Sequence, residues 1–205
     1  MADPLLLVVE GPDDFHVISN LLKHHSFHPH FKIQPEDGYQ NLQERLSRRL
    51  KPGTDLERLG IVVDADVDVG RRWQSVKGTL ARAGYTELPD MPDPAGTVVD
   101  HDILPRIGVW IMPDNVLPGM LEDYLAFLVP PGDTLLDRAR HAIAGISKAD
   151  RRFPDVHLAK ALIHTWLAWQ EDPGTPMGQA ITKRYLDADN PRVAGFLAWL
   201  ARLFG

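Results

Sequence analysis

Two acidic residues follow an apolar stretch at residues 61–63: Asp64 comes directly after it, and Asp66 comes two residues later. The β-branched residues of that stretch are typical of a short strand that is buried on both faces. Because residues two apart in an extended chain point the same way, we expect the two carboxylates to project side by side. Such a pair repels by roughly 4 kcal/mol at about 4 Å and an effective dielectric of about 20. Screening water, a bound proton or a hard cation such as Mg²⁺ relieves that repulsion.

A lone Asp-x-Asp pair is as typical of a polar turn at the end of a strand as of a metal site. Glu10 favours the metal site, because it ends a second strand-like stretch at residues 5–9. Asp114 follows a third such stretch at residues 107–112. The carboxyl ends of parallel strands meet at one edge of an open α/β sheet, and ligands bind at that edge. We therefore expect these acids to converge.

Three further residues are candidates for the same site. Asp14 lies four residues after Glu10, and Glu122 lies near the start of a later helical segment. Acids at the start of a helix also offset the helix dipole, so both positions admit that plainer interpretation. Lys160 lies on the polar face of a helix predicted over residues 156–169. Most such faces are simply exposed, and a role near phosphate is the alternative.

Composition excludes several classes of protein. The chain has no cysteine, which rules out zinc–thiolate sites, thiol catalysis and disulfides. It contains neither GxxxxGK[ST] nor GxGxxG, so we expect neither a Walker-type ATPase site nor dinucleotide binding. A net charge of −6 argues against a generally basic, sequence-independent nucleic-acid coat.

Hydropathy predicts a cytoplasmic protein with no membrane-spanning segment. The apolar run at residues 5–9 has no basic segment before it and ends on Glu10, so we expect no signal peptide. No apolar stretch approaches the roughly 20 residues needed to cross a bilayer.

The periodicity predicts an α/β fold with a mainly parallel central sheet flanked by helices, and with C-terminal helices packed on it. A length of 205 residues suits one compact unit, which we divide into a core at residues 1–128 and a helical extension at residues 129–205. Proline and glycine at residues 85–98 predict an irregular connection with short edge elements. The helical segments predicted are 15–24, 39–50, 70–82, one opening near 118, 135–144, 156–169 and 191–204.

Two polar clusters each admit a plain and a functional interpretation. The basic residues of segment 39–51 are most typical of a solvated face, with phosphate steering as the alternative; they are Arg45, Arg48, Arg49 and Lys51. The histidines between His24 and His30 follow no recurring ligand spacing, and Pro29 interrupts the run. That pattern favours a solvated loop over a metal site.

Two motifs taken together resemble the Toprim domain of topoisomerases, primases, recombination mediator proteins and OLD-family nucleases. They are Val-Val-Glu10-Gly-Pro-Asp-Asp14 and Ile-Val-Val-Asp64-Ala-Asp66, in that order along the chain. This resemblance covers about the first 125 residues. The segments around Asp114 to Glu122 and at residues 163–173 are similar to a family of stand-alone Toprim-like proteins of bacteria and archaea, over nearly the whole chain.

The resemblance implies a Toprim-like Rossmannoid fold and roles for individual residues. Glu10 would act as general acid/base or metal ligand, and Asp64 and Asp66 would hold Mg²⁺, with Mn²⁺ as an alternative. Asp14 resembles the second acid that OLD-type nucleases add for a second metal. Asp114 and Glu122 are the additional candidate ligands, and Lys160 is a candidate catalytic residue.

The leading hypothesis is a Mg²⁺-dependent, nuclease-like phosphodiesterase that acts on DNA or RNA. The chain has no ATPase domain, so a separate ABC-type ATPase is the expected partner, in a defence or repair setting. One alternative is a catalytically silent Toprim-fold module for binding or regulation. Another is a small nucleotide phosphotransfer enzyme with a closed pocket. The sequence leaves the oligomeric state open, a homodimer included.

Overall fold

A five-stranded sheet forms the centre of the chain, whose computed structural model describes residues 4–28 and 30–205. The strand order is β2-β1-β3-β5-β4, with β4 antiparallel to β5 and every other neighbouring pair parallel. This arrangement confirms the predicted α/β class with a mainly parallel sheet. The strands are β1 (Leu5–Val9), β2 (Lys32–Pro35), β3 (Arg58–Asp64), β4 (Thr97–Val99) and β5 (Arg106–Met112).

Helices cover both faces of the sheet. The second and third helices pack on one face, and the first, fourth and later helices share a hydrophobic core with the other. Within the described ranges, no helix is long and apolar enough to span a membrane. The helices are α1 (Pro12–His24), α2 (Tyr39–Arg49), α3 (Val69–Ala83), α4 (Leu121–Leu128), α5 (Thr134–Ala144), α6 (Leu158–Ala168), α7 (Met177–Thr182) and α8 (Pro191–Phe204), with a 3₁₀ helix at Asp155–His157.

The strands are buried on both faces, as their continuous apolar sequences indicate. Side chains alternate along a strand, so Ile61 and Val63 of β3 pack among α2 and α3, while Val62 packs in the opposite core. Because β1 and β3 are parallel neighbours, their carboxyl ends lie at the same edge of the sheet, between two helical layers. This pairing brings Glu10 and Asp64 to that edge.

Two paired glycines let α8 lie close to the sheet. Gly60 of β3 is the register partner of Gly108 of β5. A Cβ atom added to Gly108 would stand 2.5 Å from Leu203 Cδ2 of α8. Arg58 Nη1 also donates to the Leu203 carbonyl at 3.0 Å. The last helix thus fills the space that a side chain at position 108 would occupy, whereas a Cβ atom on Gly60 would meet Leu7 Cδ1 of β1 first, at 2.5 Å, and Leu203 at 3.1 Å.

We predict that Gly108→Ala lowers the free energy of unfolding by about 1–3 kcal/mol, because the new methyl group overpacks a filled core. Gly195→Ala is the matched control, since Gly195 is exposed on α8 with nothing within 4 Å of an added Cβ. The control should be neutral or raise the free energy of unfolding by up to about 1 kcal/mol, through helix propensity. Urea denaturation of both variants measures the difference, and equal stability of the two would contradict close packing of α8.

Candidate metal centre

Glu10 lies directly after β1 and is tied to the end of β3. Its Oε1 atom accepts a hydrogen bond from the backbone N–H of Asp64 at 2.9 Å. Burial raises the pKa of Glu10, while that hydrogen bond and the nearby Arg72 partly offset the rise. Arg72 Nη1 lies 4.0 Å from Glu10 Oε1. The carboxyl group is thus held in place at the sheet edge by the neighbouring strand.

Asp64 is the last residue of β3, and its carboxylate lies at the N-terminus of α4. Its Oδ1 atom accepts a hydrogen bond from the backbone N–H of Leu121 at 3.0 Å. Burial, followed by the neighbouring acids Asp14, Glu10 and Glu122, raises the pKa of Asp64 well above its usual range. The Leu121 N–H, which has no partner within its helix, stabilises the carboxylate. Burial and the neighbouring acids favour the neutral form, and a bound cation would reverse that preference.

Asp14 combines the two roles that the sequence left open. Its Oδ2 atom accepts a hydrogen bond from the backbone N–H of Gly11 at 3.0 Å, which caps the start of α1. The residue is nevertheless buried, with 7% of its surface exposed. Burial, and then the charge of Glu10, raise the pKa of Asp14 to about 7. A helix-capping acid has therefore become a group that titrates near neutral pH.

Glu122, the second residue of α4, forms an ion pair with Lys160 of α6. Lys160 Nζ lies 3.3 Å from Glu122 Oε1, and the Glu122 side chain is almost fully buried whereas that of Lys160 is half exposed. Burial alone would lower the pKa of Lys160, but the charge and hydrogen bond of Glu122 outweigh it and raise the pKa. Lys160 therefore stays charged. The neighbouring Asp123 caps the helix instead, accepting the Met120 N–H at 2.9 Å.

One cavity of about 270 Å³ is lined by four of these acids and by Lys160. It lies at the carboxyl edge of the sheet, where the ends of β1 and β3 meet the starts of α1 and α4. The turn between β2 and α2, with Asp37 and Gly38, lines it as well. The acids that it brings together are Glu10, Asp14, Asp64 and Glu122.

Asp66 does not line this cavity, although its charge contributes to the raised pKa of Glu10 and of Asp64. The predicted side-by-side projection assumed an extended chain, and the chain is not extended at Asp66. Strand β3 ends at Asp64, and Asp66 has a positive φ of 55° with its N–H donating to the Gly119 carbonyl at 2.8 Å. Alternation holds only within an extended chain, and this turn breaks it. The Asp66 carboxylate accepts a hydrogen bond from Arg72, whose guanidinium lies 3.6 Å from the centre of the Tyr39 ring.

Asp114 also lies outside the lining of the cavity. Its Oδ1 atom accepts the backbone N–H groups of Val116 and Leu117, at 3.2 and 2.8 Å. Its Oδ2 atom lies 2.6 Å from Arg192 Nη1 of α8. Asp114 therefore holds its own loop and the last helix, although it follows β5 as predicted.

Glu36 has a positioning role that the sequence did not suggest. It is fully buried, and it accepts hydrogen bonds from Arg45 Nη1 at 2.6 Å and Arg49 Nη1 at 2.5 Å. Those two arginines are thus partners of a buried acid, which corrects the expectation of a solvated face for them, whereas Arg48 and Lys51 are exposed as predicted. The Gly38 N–H donates to the Glu10 carbonyl at 2.8 Å. The turn after β2 is thereby fixed against the site.

Comparison with known proteins adds a family and no activity. A family model described as "Protein of unknown function (DUF3226)" matches residues 4–205. The chain belongs to this family. Searches of curated proteins and of solved structures gave no match.

The donor set of the DUF3226 chain fits a hard divalent cation. Hydrogen bonds occupy Oε1 of Glu10 and Oδ1 of Asp64, and the second oxygen of each has no hydrogen-bond partner among the residues that the structure describes. The acids are spread around the cavity, since no three of them have ligand oxygens all within 4.8 Å of one another in the described ranges. Mg²⁺ suits that spacing, because it commonly binds one or two carboxylates and keeps several waters.

We predict that the free energy of unfolding of the metal-free protein falls as pH rises from about 4 to about 7. An unfolded Asp has a pKa of about 3.9, whereas the pKa of folded Asp14 is about 7. Between those values the folded chain binds more protons than the unfolded chain, so raising the pH favours unfolding. Added Mg²⁺ should reverse the loss at neutral pH.

Asp14→Asn should flatten this pH dependence. Asp68→Asn is the control, because Asp68 caps α3 outside the cavity. Urea denaturation across the pH range measures all three proteins. A stability that rises between pH 4 and 7 without metal would contradict the raised pKa values of the site.

Proposed function

We propose that this DUF3226 protein is a Mg²⁺-dependent phosphodiesterase of the Toprim type that cleaves DNA or RNA. The observation that carries the proposal is the convergence of four carboxyl groups on one cavity at the carboxyl edge of a parallel sheet. In open α/β folds that edge is where ligands bind. Clusters of oxygen ligands at such a place are typical of metal-assisted phosphoryl chemistry.

Electrostatics support a metal rather than direct phosphate binding. Within the described ranges, six acidic residues and one basic residue, Lys160, line the cavity. Two of the acids, Asp13 and Asp37, lie on its exposed rim. Arg72 reaches only the edge, at 4.0 Å from Glu10. A phosphate anion would be repelled from these carboxylates, and a bridging divalent cation removes that repulsion. Mn²⁺ has similar ligand preferences and is the natural substitute.

The chain's own residues would then divide the work of hydrolysis. Glu10 and Asp64 would hold Mg²⁺, which when bound would supply Lewis acidity at the phosphate and lower the pKa of a bound water. Asp14, with a pKa of about 7, is suited to accept a proton as the water oxygen bonds to phosphorus. The P–O ester bond then breaks, and the leaving oxygen takes a proton from solvent. Lys160 keeps its charge and stabilises a non-bridging phosphate oxygen.

Access to the cavity favours a polymer substrate over a closed nucleotide pocket. The rim residues Pro12, Asp13 and Asp37 are exposed, and the side chain of Lys160 is 48% exposed. In this proposal a strand crosses the exposed rim while a single phosphodiester lies among the acids. This observation favours nuclease activity over the small phosphotransfer enzyme considered from the sequence.

The ABC-type ATPase partner and the cytoplasmic location remain part of the proposal. These 205 residues contain no phosphate-binding loop motif, so in this proposal an ATP-driven step belongs to the separate ABC-type ATPase. The absence of cysteine suits a reducing compartment.

We predict that the purified protein cleaves DNA or RNA with Mg²⁺ or Mn²⁺, and that Glu10→Gln and Asp64→Asn each lower the rate about 100-fold or more. Asp68→Asn is the control. Asp68 caps α3 by accepting the Arg71 N–H at 2.9 Å, outside the cavity, and asparagine caps helices equally well. A gel assay with labelled single and double strands gives the rates. Lack of cleavage by the unaltered protein, alone and with its ATPase partner and ATP, would refute the proposal.

A silent binding module is the second candidate, and the pairing of Asp66 with Arg72 favours it. That pair neutralises half of the Asp-x-Asp motif without any metal. Binding calorimetry separates the two candidates. If the site is a metal centre, the unaltered protein takes up Mg²⁺, Asp64→Asn weakens uptake by about tenfold or more, and Asp68→Asn does not. Lack of uptake by the unaltered protein would support the silent module.

A further inference from the structure

Two histidines at the end of α1 lie against the turn that precedes α8. His24 is the last residue of α1 and His25 caps it. His24 Nε2 lies 3.1 Å from Asp189 Oδ1. One ligand atom from each of His24, His25 and Asp189 lies within 4.8 Å of the other two, and no other such group exists in residues 4–28 and 30–205. The sequence favoured a solvated loop here, because the histidines follow no recurring ligand spacing and Pro29 interrupts the run. Asp189 lies far away along the chain and was not part of that prediction.

The imidazole of His25 is held in place by a hydrogen bond to the backbone. Its Nε2 atom lies 2.8 Å from the carbonyl oxygen of Ala188. A carbonyl oxygen only accepts, so Nε2 carries a hydrogen, and the nitrogen left to bind a metal is Nδ1 of the neutral ring. Metal-binding histidines commonly donate their other ring N–H to a carbonyl in this way, which fixes both tautomer and ring orientation.

The turn that presents Asp189 is equally well fixed. The Asp187 N–H donates to the Leu128 carbonyl at 2.7 Å, at the end of α4. The Asp189 N–H donates to Asp187 Oδ1 at 3.0 Å, and the Asn190 side chain donates to the Phe127 carbonyl at 3.1 Å. The ligands thus come from a helix end and a bonded turn, so little ordering is needed on binding an ion.

The end of α1 also favours a positive charge. The last carbonyl groups of a helix carry a partial negative charge, which stabilises a cation within the final turn. The ion pair between His24 and Asp189 adds little stability by itself, because the Asp189 side chain is 78% exposed and exposed ion pairs are weak. An ion bound by all three side chains satisfies the carboxylate, both rings and the helix end together.

We propose that His24, His25 and Asp189 form a binding site for Zn²⁺, separate from the acidic centre at the sheet edge. Two imidazole nitrogens and one carboxylate oxygen are ligands that Zn²⁺ accepts in tetrahedral sites, with water in the fourth position. Mg²⁺ prefers oxygen ligands and is excluded by the imidazoles. The ion joins the end of α1 to the turn before α8.

The test is a Zn²⁺ titration by calorimetry in excess Mg²⁺, on protein carrying Asp64→Asn so that the acidic centre does not compete. We expect one Zn²⁺ per chain. His24→Gln and Asp189→Asn should each raise the dissociation constant about tenfold or more, since each removes one ligand. Co²⁺ should give the visible absorption of a four-coordinate site in the parent, and lose it in His24→Gln.

The control is His141→Gln, which removes an imidazole from an exposed position on α5. It should bind Zn²⁺ as the parent does. Circular dichroism checks that each variant is folded, which is expected because His24 and Asp189 are both accessible. Zn²⁺ uptake that is absent from the parent, or that is unchanged in both His24→Gln and Asp189→Asn, would overturn the proposal. The Mg²⁺-dependent cleavage proposed above is independent of either outcome.

Discussion

The hydrogen bond from the Asp64 backbone N–H to Glu10 is the contact on which the acidic edge depends. It joins the ends of β1 and β3 through a side chain, beyond the point where their backbone pairing stops. Asp64 is held in turn by the Leu121 N–H of α4, and Asp14 by the Gly11 N–H of α1. Backbone N–H groups thus hold mutually repelling carboxyl groups close together. Side-chain cations could also hold them, but would neutralise the negative charge of the site.

Much of the site could be predicted from the sequence because sheet geometry is regular. An acid that ends a buried parallel strand lies at the carboxyl edge of the sheet, which is why Glu10 and Asp64 meet as predicted. The same logic failed for Asp66 because a left-handed residue turns the chain immediately after β3. Hydrophobic periodicity carries no signal for such a turn. A glycine would have marked the turn, but aspartate can also adopt a positive φ, so none is present.

Contacts between distant segments were the part that local patterns could not supply. The bounds of α8 follow from Asn190, Pro191 and the apolar stripe, whereas α7 is only six residues long and too short for a periodic signal. Glu36 gave no hint that it binds two arginines of α2, because its burial depends on the whole layer. The pairing of Asp189 with His24 likewise exists only once α1 and the turn before α8 are packed.

The close fit of α8 over Gly60 and Gly108 has a consequence for synthesis of the protein. The strands of the sheet are complete by residue 112, but the apolar groove over the two glycines is filled by Leu203. Of the segments that pack on the sheet, residues 191–204 are made last, so the core over Gly108 is completed only when they have been translated.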